Sequence, residues 1–217
     1  MSDYKQFVTD IIRDFKNNYY TDKVNYSIPL MHNEVVVGRL RPVPTEFKED
    51  ALNDVHLQTK WRNIHKDSFL VEPFTATDER TLNWLKETYD NNDDRIIFMI
   101  LDAIDNPIGH LAYENFIYEE KKAEYGRLMR GDVSKLEKNG KYNLIEIAQI
   151  AFLNWGFNYL DLSSVYGTQF ADNFTVNILH AKCGFKTINQ YDHQKSNGTV
   201  RMAERELKKT DFKLLNK

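Results

Sequence analysis

Lys135, Lys138 and Lys141 surround Gly140 in a polar stretch, Asp132 to Asn143, between an expected strand and an expected helix. A loop entering a helix presents unpaired backbone N–H groups, and basic side chains beside a glycine suit a phosphate. The plainer alternative is a solvated surface loop. Metal chemistry has little support: His56 and His65 stand nine apart, and His180 and His193 are not at ligand spacing within one element. Neither a Gly-x-Ser-x-Gly elbow nor a Walker phosphate loop occurs. The single cysteine, Cys183, excludes an internal disulfide and a multi-cysteine metal site. Beside Gly184 and in line with Val176 and Leu179, it reads as a small buried hydrophobe rather than a nucleophile.

The elements that must hold these groups follow from periodicity. Asp3 to Tyr20 places Phe7, Ile11, Ile12 and Phe15 on one helical face. Val35 to Leu40 reads as a strand stopped by Pro42 and Pro44, and Thr45 to Trp61 as a helix. Thr77 opens another helix that ends in the polar run Asp90 to Asp94. Arg95 to Ala103 is a buried strand, Asp105-Asn106-Pro107 a tight turn, Ile108 to Phe116 the returning strand, and Ala123 to Arg130 a third. Leu144, Ile147, Ala148, Ala151, Phe152 and Trp155 form a stripe on the clearest helix, with Asn143 and Glu146 as a capping pair. Ser163 to Phe170 is a strand, Asp172 caps a short helix that Gly184 ends, and Phe185–Tyr191 and Val200–Leu207 are antiparallel around Ser196-Asn197-Gly198. A meander followed by a strand–helix–strand crossover makes a mixed α/β sheet.

At 217 residues a single domain buries roughly 70% of its unfolded surface without staples. Lys plus Arg is 29 against 32 Asp plus Glu, a net charge of −3, which gives no electrostatic reason to bind nucleic acid or an acidic membrane. No apolar run approaches the ~18 residues of a membrane span, and Met1 to Lys5 lacks a signal peptide's apolar stretch, so a cytoplasmic globular protein is expected.

Several segments resemble a known family. Asn173 to Phe185 (NFTVNILHAKCGF) resembles the closing motif of the GNAT-superfamily N-acetyltransferases. Pro107-Ile-Gly-His-Leu and Ala123-Glu-Tyr-Gly-Arg-Leu are similar to the family's central strands, and Leu40-Arg41-Pro42 to its opening strand. The likeness covers about Val35 to Leu207. Trp61-Arg62-Asn63, the Phe74 segment before Trp84, and Glu124 to Arg127 look most like the branch that acetylates amino-sugar nucleotides, as in pseudaminic-acid pathways, and the neighbouring ribosomal-protein amino-terminal acetyltransferases. The chain departs from the family pattern twice. Glu137-Lys-Asn-Gly140-Lys-Tyr142 keeps only the central glycine of the pyrophosphate loop, and His180 stands where the family commonly has its general-acid tyrosine.

The resemblance implies a mixed sheet of about seven strands flanked by helices and splayed between strands 4 and 5, with residues 1–34 as an extension and 35–217 as the acetyltransferase domain. It implies acetyl-CoA as co-substrate, no metal, and direct attack of an amine on the thioester. Glu124 would be the general base and His180 the acid. Backbone amides of Leu128, Met129 and Arg130 would orient the pantetheine and polarise the carbonyl. Lys138, Asn139, Gly140, Lys141, Tyr142 and Asn143 would take the pyrophosphate, and Asn173 the pantetheine arm. Trp61, Arg62, Asn63 and Arg127 would bind the acceptor, a small amine and first of all a sugar nucleotide. The alternatives are a protein amino terminus, a polyamine, or a non-catalytic binding module. A homodimer is compatible with the sequence.

Overall fold

The computed structural model describes residues 3–45, 49–69, 74–131, 142–196 and 198–212. In chain order its elements are α1 (Asp3–Asn18), β1 (Ile28–His32), β2 (Val35–Pro42), α2 (Glu49–Ile64), α3 (Asp78–Trp84), β3 (Ile96–Asp102), β4 (Pro107–Ile117), β5 (Lys122–Arg130), α4 (Leu144–Asn158), β6 (Ser164–Phe170), α5 (Phe174–Cys183), β7 (Lys186–Lys195) and β8 (Gly198–Lys208). The strands form one sheet in the order β1-β2-β3-β4-β5-β6-β8-β7. Every neighbouring pair is antiparallel except β5 and β6, which α4 joins as the crossover that a parallel pair requires.

The sheet thus has eight strands where about seven were expected. The added one is β1, before Val35. It pairs with β2 through a two-residue turn in which Asn33 and Glu34 both have positive φ, 49° and 63°. Such a turn matches the strands' twist. With β1 counted, the expected opening between strands 4 and 5 falls between β5 and β6.

Helices cover both faces. On one, α1, α4 and α5 pack over Leu40, Phe98, Ile100, Tyr113 and Tyr125. Ile12 and Phe15 point inward from α1 as expected and Ile11 packs against the same core, but Val8 takes the place expected of Phe7, which is 45% exposed. Phe15 meets Phe98 and Trp155 with ring centroids 5.9 and 5.2 Å apart. α4 touches α1 through Trp155 and α5 through Gln149, whose Nε2 donates to Cys183 Sγ at 3.2 Å. Cys183 is buried, and burial pushes its thiol up to about 11. On the other face α2 and α3 bury Val55, Trp61, Leu85 and Tyr89 against Ile97, Met99, Leu101 and Met129. Covered on both sides, β3 is apolar almost throughout rather than alternating.

Local chemistry fixes the ends. Thr77 caps α3 by accepting from Arg80 N at 3.2 Å, and α3 runs on into a wider turn closed by Asp90 N to Leu85 O at 2.9 Å. Asn173, not the expected Asp172, caps α5, and Gly184 at φ 97° ends it. The tip of β3–β4 is held by Asp102 Oδ1, which accepts from Ile104 N and Asn106 N at 3.0 and 2.9 Å. α2 is tied to the sheet by a buried bidentate pair, Arg41 on Asp54, both bonds at 2.7 Å.

Candidate active site

β5 and β6 pair only at Lys122↔Ser164, Ala123↔Val165 and Glu124↔Tyr166. Beyond Glu124 they separate, leaving the outer edge of β5 open. At that point β5 also bulges: its four residues Gly126 to Met129 stand against three on β4, His110 to Ala112, and Arg127 has φ 51°. After the bulge the peptide directions can be read off. Gly131 N donates to Ile108 O at 2.7 Å, and Met129 O lies against Gly109, so both face β4. The intervening Arg130 peptide therefore faces the opening. Its carbonyl accepts a bond from His65 Nε2 at 2.9 Å.

Two carboxylates lie side by side where the strands part. Glu114 and Glu124 are register partners on β4 and β5, on the face covered by α2 and α3. Arg127 Nε lies 3.1 Å from each oxygen of Glu114 and neutralises it. Glu124 accepts from Asn115 Nδ2 at 2.6 Å and pairs with no cation among the described residues. Tyr166, its β6 neighbour, donates to Asn115 O at 2.9 Å; burial and then the Glu124 charge push its hydroxyl upward. Glu124 thus stands at the mouth of the opening with no arginine or lysine of the described residues paired to it.

Cations converge beside them. Arg62, in the last turn of α2, stands 4.3 Å from the Phe69 ring and 4.4 Å from the Phe74 ring. Arg80 lies 3.9 Å from the same Phe74 ring, and Arg127 4.5 Å from the Trp84 ring. Burial, then the Arg127 and Arg80 charges, hold the Arg62 guanidinium below its ordinary value. No carboxylate of the described residues pairs with Arg62 or Arg80. At the opposite rim, Lys195 at the end of β7 donates to Phe69 O at 2.8 Å and lies 4.9 Å from the Phe170 ring at the end of β6.

The structure corrects several expected roles. Trp61 is 1% exposed in the core and stacks on His110 at 6.1 Å, so its ring is closed to an acceptor. Trp84 is the half-exposed tryptophan, because it sits at the outer end of α3 beside Arg127. Asn63 uses both ends of its amide on Ala76, donating to its carbonyl at 3.0 Å and accepting from its N–H at 2.8 Å, which pins the α2–α3 connection. His180 is 6% exposed, stacks on Phe185 at 4.3 Å and meets Tyr125 at 5.7 Å; neither ring nitrogen has a hydrogen-bond partner among the described residues. Burial and then the Arg205 charge lower its pKa to about 3. It is neutral near pH 7, so it is not the imidazolium acid that its family position implied. It also contacts Tyr125, on the opposite face of β5 from Glu124.

The expected cofactor residues are only partly gathered. Leu128, Met129 and Arg130 line β5 at the opening, with the Met129 side chain in the core. Asn143 and Asn173 use their side-chain oxygens as helix caps, each accepting at 3.3 Å from Glu146 N and Val176 N. Tyr142 packs its ring 5.1 Å from His32 at the end of β1. Lys135, Lys138, Asn139, Gly140 and Lys141 lie outside the described residues. Residues that sequence reasoning did not assign to the site are Glu114, Asn115, Arg80, Phe69 and His65. Strand alternation signals Glu114, since it stands two residues past Ala112; Asn115 lies in β4 at a positive φ that nothing in the pattern marks, and the others come from loops and helix ends with no periodic signature.

The buried histidines make stability acid-sensitive. Burial lowers His110 to about 3 as well, so both rings are neutral when folded, whereas unfolded histidine titrates near 6.5. Above that value neither state binds the proton and the stability is intact. Below it the unfolded chain protonates first, and stability falls progressively towards pH 3. By pH 5 each ring costs about 2 kcal/mol. Urea unfolding of His180→Phe should show a smaller loss between pH 7 and pH 5 than the native chain, by about that amount. An identical loss in both would contradict the buried neutral ring.

No protein-family model and no curated protein matches the chain. Solved structures do. A variant of spermidine N-acetyltransferase SpeG from Vibrio cholerae matches with TM-score 0.62 and 19% identity over 82% of this chain and 97% of that one. The same organism's enzyme in complex with CoA and spermine matches with TM-score 0.63 and 18% identity over 79% and 95%. The chain has the GNAT fold.

Proposed function

We propose that this chain is an acetyl-CoA-dependent N-acetyltransferase acting on a small primary amine, in the cytoplasm. The observation that carries the reading is the opening between β5 and β6 at Glu124, with the unpaired edge of β5 on one side and an unneutralised carboxylate at its mouth. The similar fold bound to CoA supports it. Acetyl-CoA would supply an acyl group already activated as a thioester. The outward peptide groups near Leu128 and Arg130 fit an extended, amide-bearing arm, as one strand edge fits another. Glu124 would take the proton of the acceptor ammonium, directly or through water, so that the free amine attacks the carbonyl carbon. The C–N bond forms and the C–S bond breaks; the second proton leaves the attacked nitrogen and passes through solvent to the departing thiolate, while Glu124 returns its own to solvent. That last step asks nothing of His180.

The acceptor has two readings. The similar solved structures are spermidine acetyltransferases, one holding spermine, which favours a polyamine. The arginines beside Glu124 favour an amine that carries phosphate, as a nucleotide-linked amino sugar does. Cofactor binding is testable apart from the acceptor. A ligand bound only by the folded state at a hundredfold over its Kd adds about 2.7 kcal/mol, so CoA should raise the thermal midpoint by several degrees. No shift with millimolar CoA and no heat in calorimetry would contradict the proposal.

A further inference from the structure

We infer that Arg62, Arg80 and Phe74, with Arg127 beside them, form a phosphate subsite that selects an acceptor carrying both an amine and a phosphate. This rests on the transferase reading above and names the substrate class of that same site.

The two guanidiniums on Phe74 are the starting point. Arg62 is held between two rings, at 4.3 Å from Phe69 and 4.4 Å from Phe74, and Arg80 takes Phe74 at 3.9 Å. The aromatic faces orient the planar groups and stabilise each cation, but they do not cancel its charge. Like charges gathered on one ring repel, and the repulsion is felt: Arg62 loses proton affinity to burial, to Arg127 and to Arg80. Among the described residues, Arg127 alone of the three is paired with a carboxylate, Glu114. Glu79 on α3 and Glu87 just past its end lie near Arg80, but neither is within ion-pair distance of it. Among the described residues the arrangement is therefore short of negative charge. A phosphate supplies it, since its oxygens match guanidinium forks better than any single lysine would.

Position gives the specificity. Arg127 bonds Glu114, and Glu114 is the register partner of Glu124, so the cationic cluster and the base lie on one face and adjoin. An ammonium at Glu124 and a phosphate at Arg62 and Arg80 place opposite charges on opposite charges within one ligand. A polyamine, positive along its length, would set ammonium groups against three guanidiniums. The same cleft therefore discriminates by repulsion as well as by attraction.

The test uses the whole chain saturated with CoA, so that the cofactor's own phosphates are already placed, and titrates inorganic pyrophosphate by calorimetry. Binding is expected in the native chain, weakened about ten- to a hundredfold in Arg80→Ala and in Arg62→Ala, and partly kept in Arg62→Lys. Circular dichroism of Arg80→Ala, an exposed helix position, verifies that the fold is intact. In acetyl transfer, an amino sugar bearing phosphate should exceed the same sugar without it by at least about tenfold in kcat/KM, and Arg80→Ala should shrink that ratio. Pyrophosphate that fails to bind, or binds Arg80→Ala as well as the native chain, overturns the subsite. So does preference for spermidine over the phosphorylated sugar, and malonate binding more tightly than pyrophosphate overturns the phosphate assignment. Absence of CoA binding would instead strike the transferase reading, and the pyrophosphate titration would still decide the subsite.

Discussion

Glu124→Gln should lower turnover by about 10²–10⁴-fold, the usual contribution of a positioned base. Glutamine keeps an oxygen that can accept from Asn115 Nδ2, now at 2.6 Å from the carboxylate, so the side chain has a reason to stay in place. What it loses is the capacity to take a proton. CoA affinity should therefore be nearly unchanged, and the loss should appear in kcat rather than in cofactor binding. Glu114 provides the internal comparison. Its carboxylate is already bonded to Arg127 at 3.1 Å through both oxygens, so Glu114→Gln should disturb the acceptor's Michaelis constant through Arg127 more than it slows the chemical step. Activity of Glu124→Gln within a few-fold of the native chain would remove Glu124 from the mechanism.

The largest effect on stability is expected at Asp54. Its carboxylate takes two bonds of 2.7 Å from Arg41, and the two side chains are 0% and 6% exposed. Asp54→Ala removes the carboxylate that takes both bonds from the buried Arg41 guanidinium, beside Tyr19, which costs about 3–5 kcal/mol. Against a typical total of about 5–15 kcal/mol this is a large share. Asp54→Asn, with one good acceptor left, should fall between. The consequence reaches the site, because the same helix carries Arg62 and, just past its end, His65. Denaturant unfolding measures it, and a loss below about 1 kcal/mol would show that Arg41 finds other partners.

Most of the sheet was legible because its strands have distinct periods and turns. β3 reads as one apolar run, Asp105-Asn106-Pro107 marks the turn into β4, and Thr77 and Gly184 mark helix ends by their own chemistry. β1 was not legible. Its five residues, Ile-Pro-Leu-Met-His, alternate weakly, and its turn uses Asn33-Glu34, in which the glutamate gives no hint of positive φ. α1 was found with Ile11, Ile12 and Phe15 on its inward face; only Phe7 was misassigned, since Phe7 and Val8 compete equally well until Phe15 and Trp155 fix the rotation.

The site was legible in its strand residues and poorly so elsewhere. Glu124 and Arg127 follow from β5, although the bulge that turns Arg127 towards Glu114 has no sequence signature. Trp61 lies in the core and not at the acceptor, while Trp84 is half-exposed, because burial is set by position along α2 and α3, not by residue type. His180 holds the family tyrosine's position in sequence, yet its surroundings of Tyr125 and Phe185 deny it charge, which only three-dimensional packing reveals.

The proposed reaction is acetyl transfer from a thioester to an amine in the opening between β5 and β6. The direct measurement is release of free thiol from acetyl-CoA in the presence of single acceptors: an amino-sugar nucleotide, its free amino sugar, spermidine and a peptide amino terminus. Acceptor-dependent thiol release, with the acetyl group recovered on nitrogen, is the predicted result, strongest with the phosphate-bearing sugar. Thiol release no faster than hydrolysis with every amine, from a chain shown to bind CoA, would contradict it.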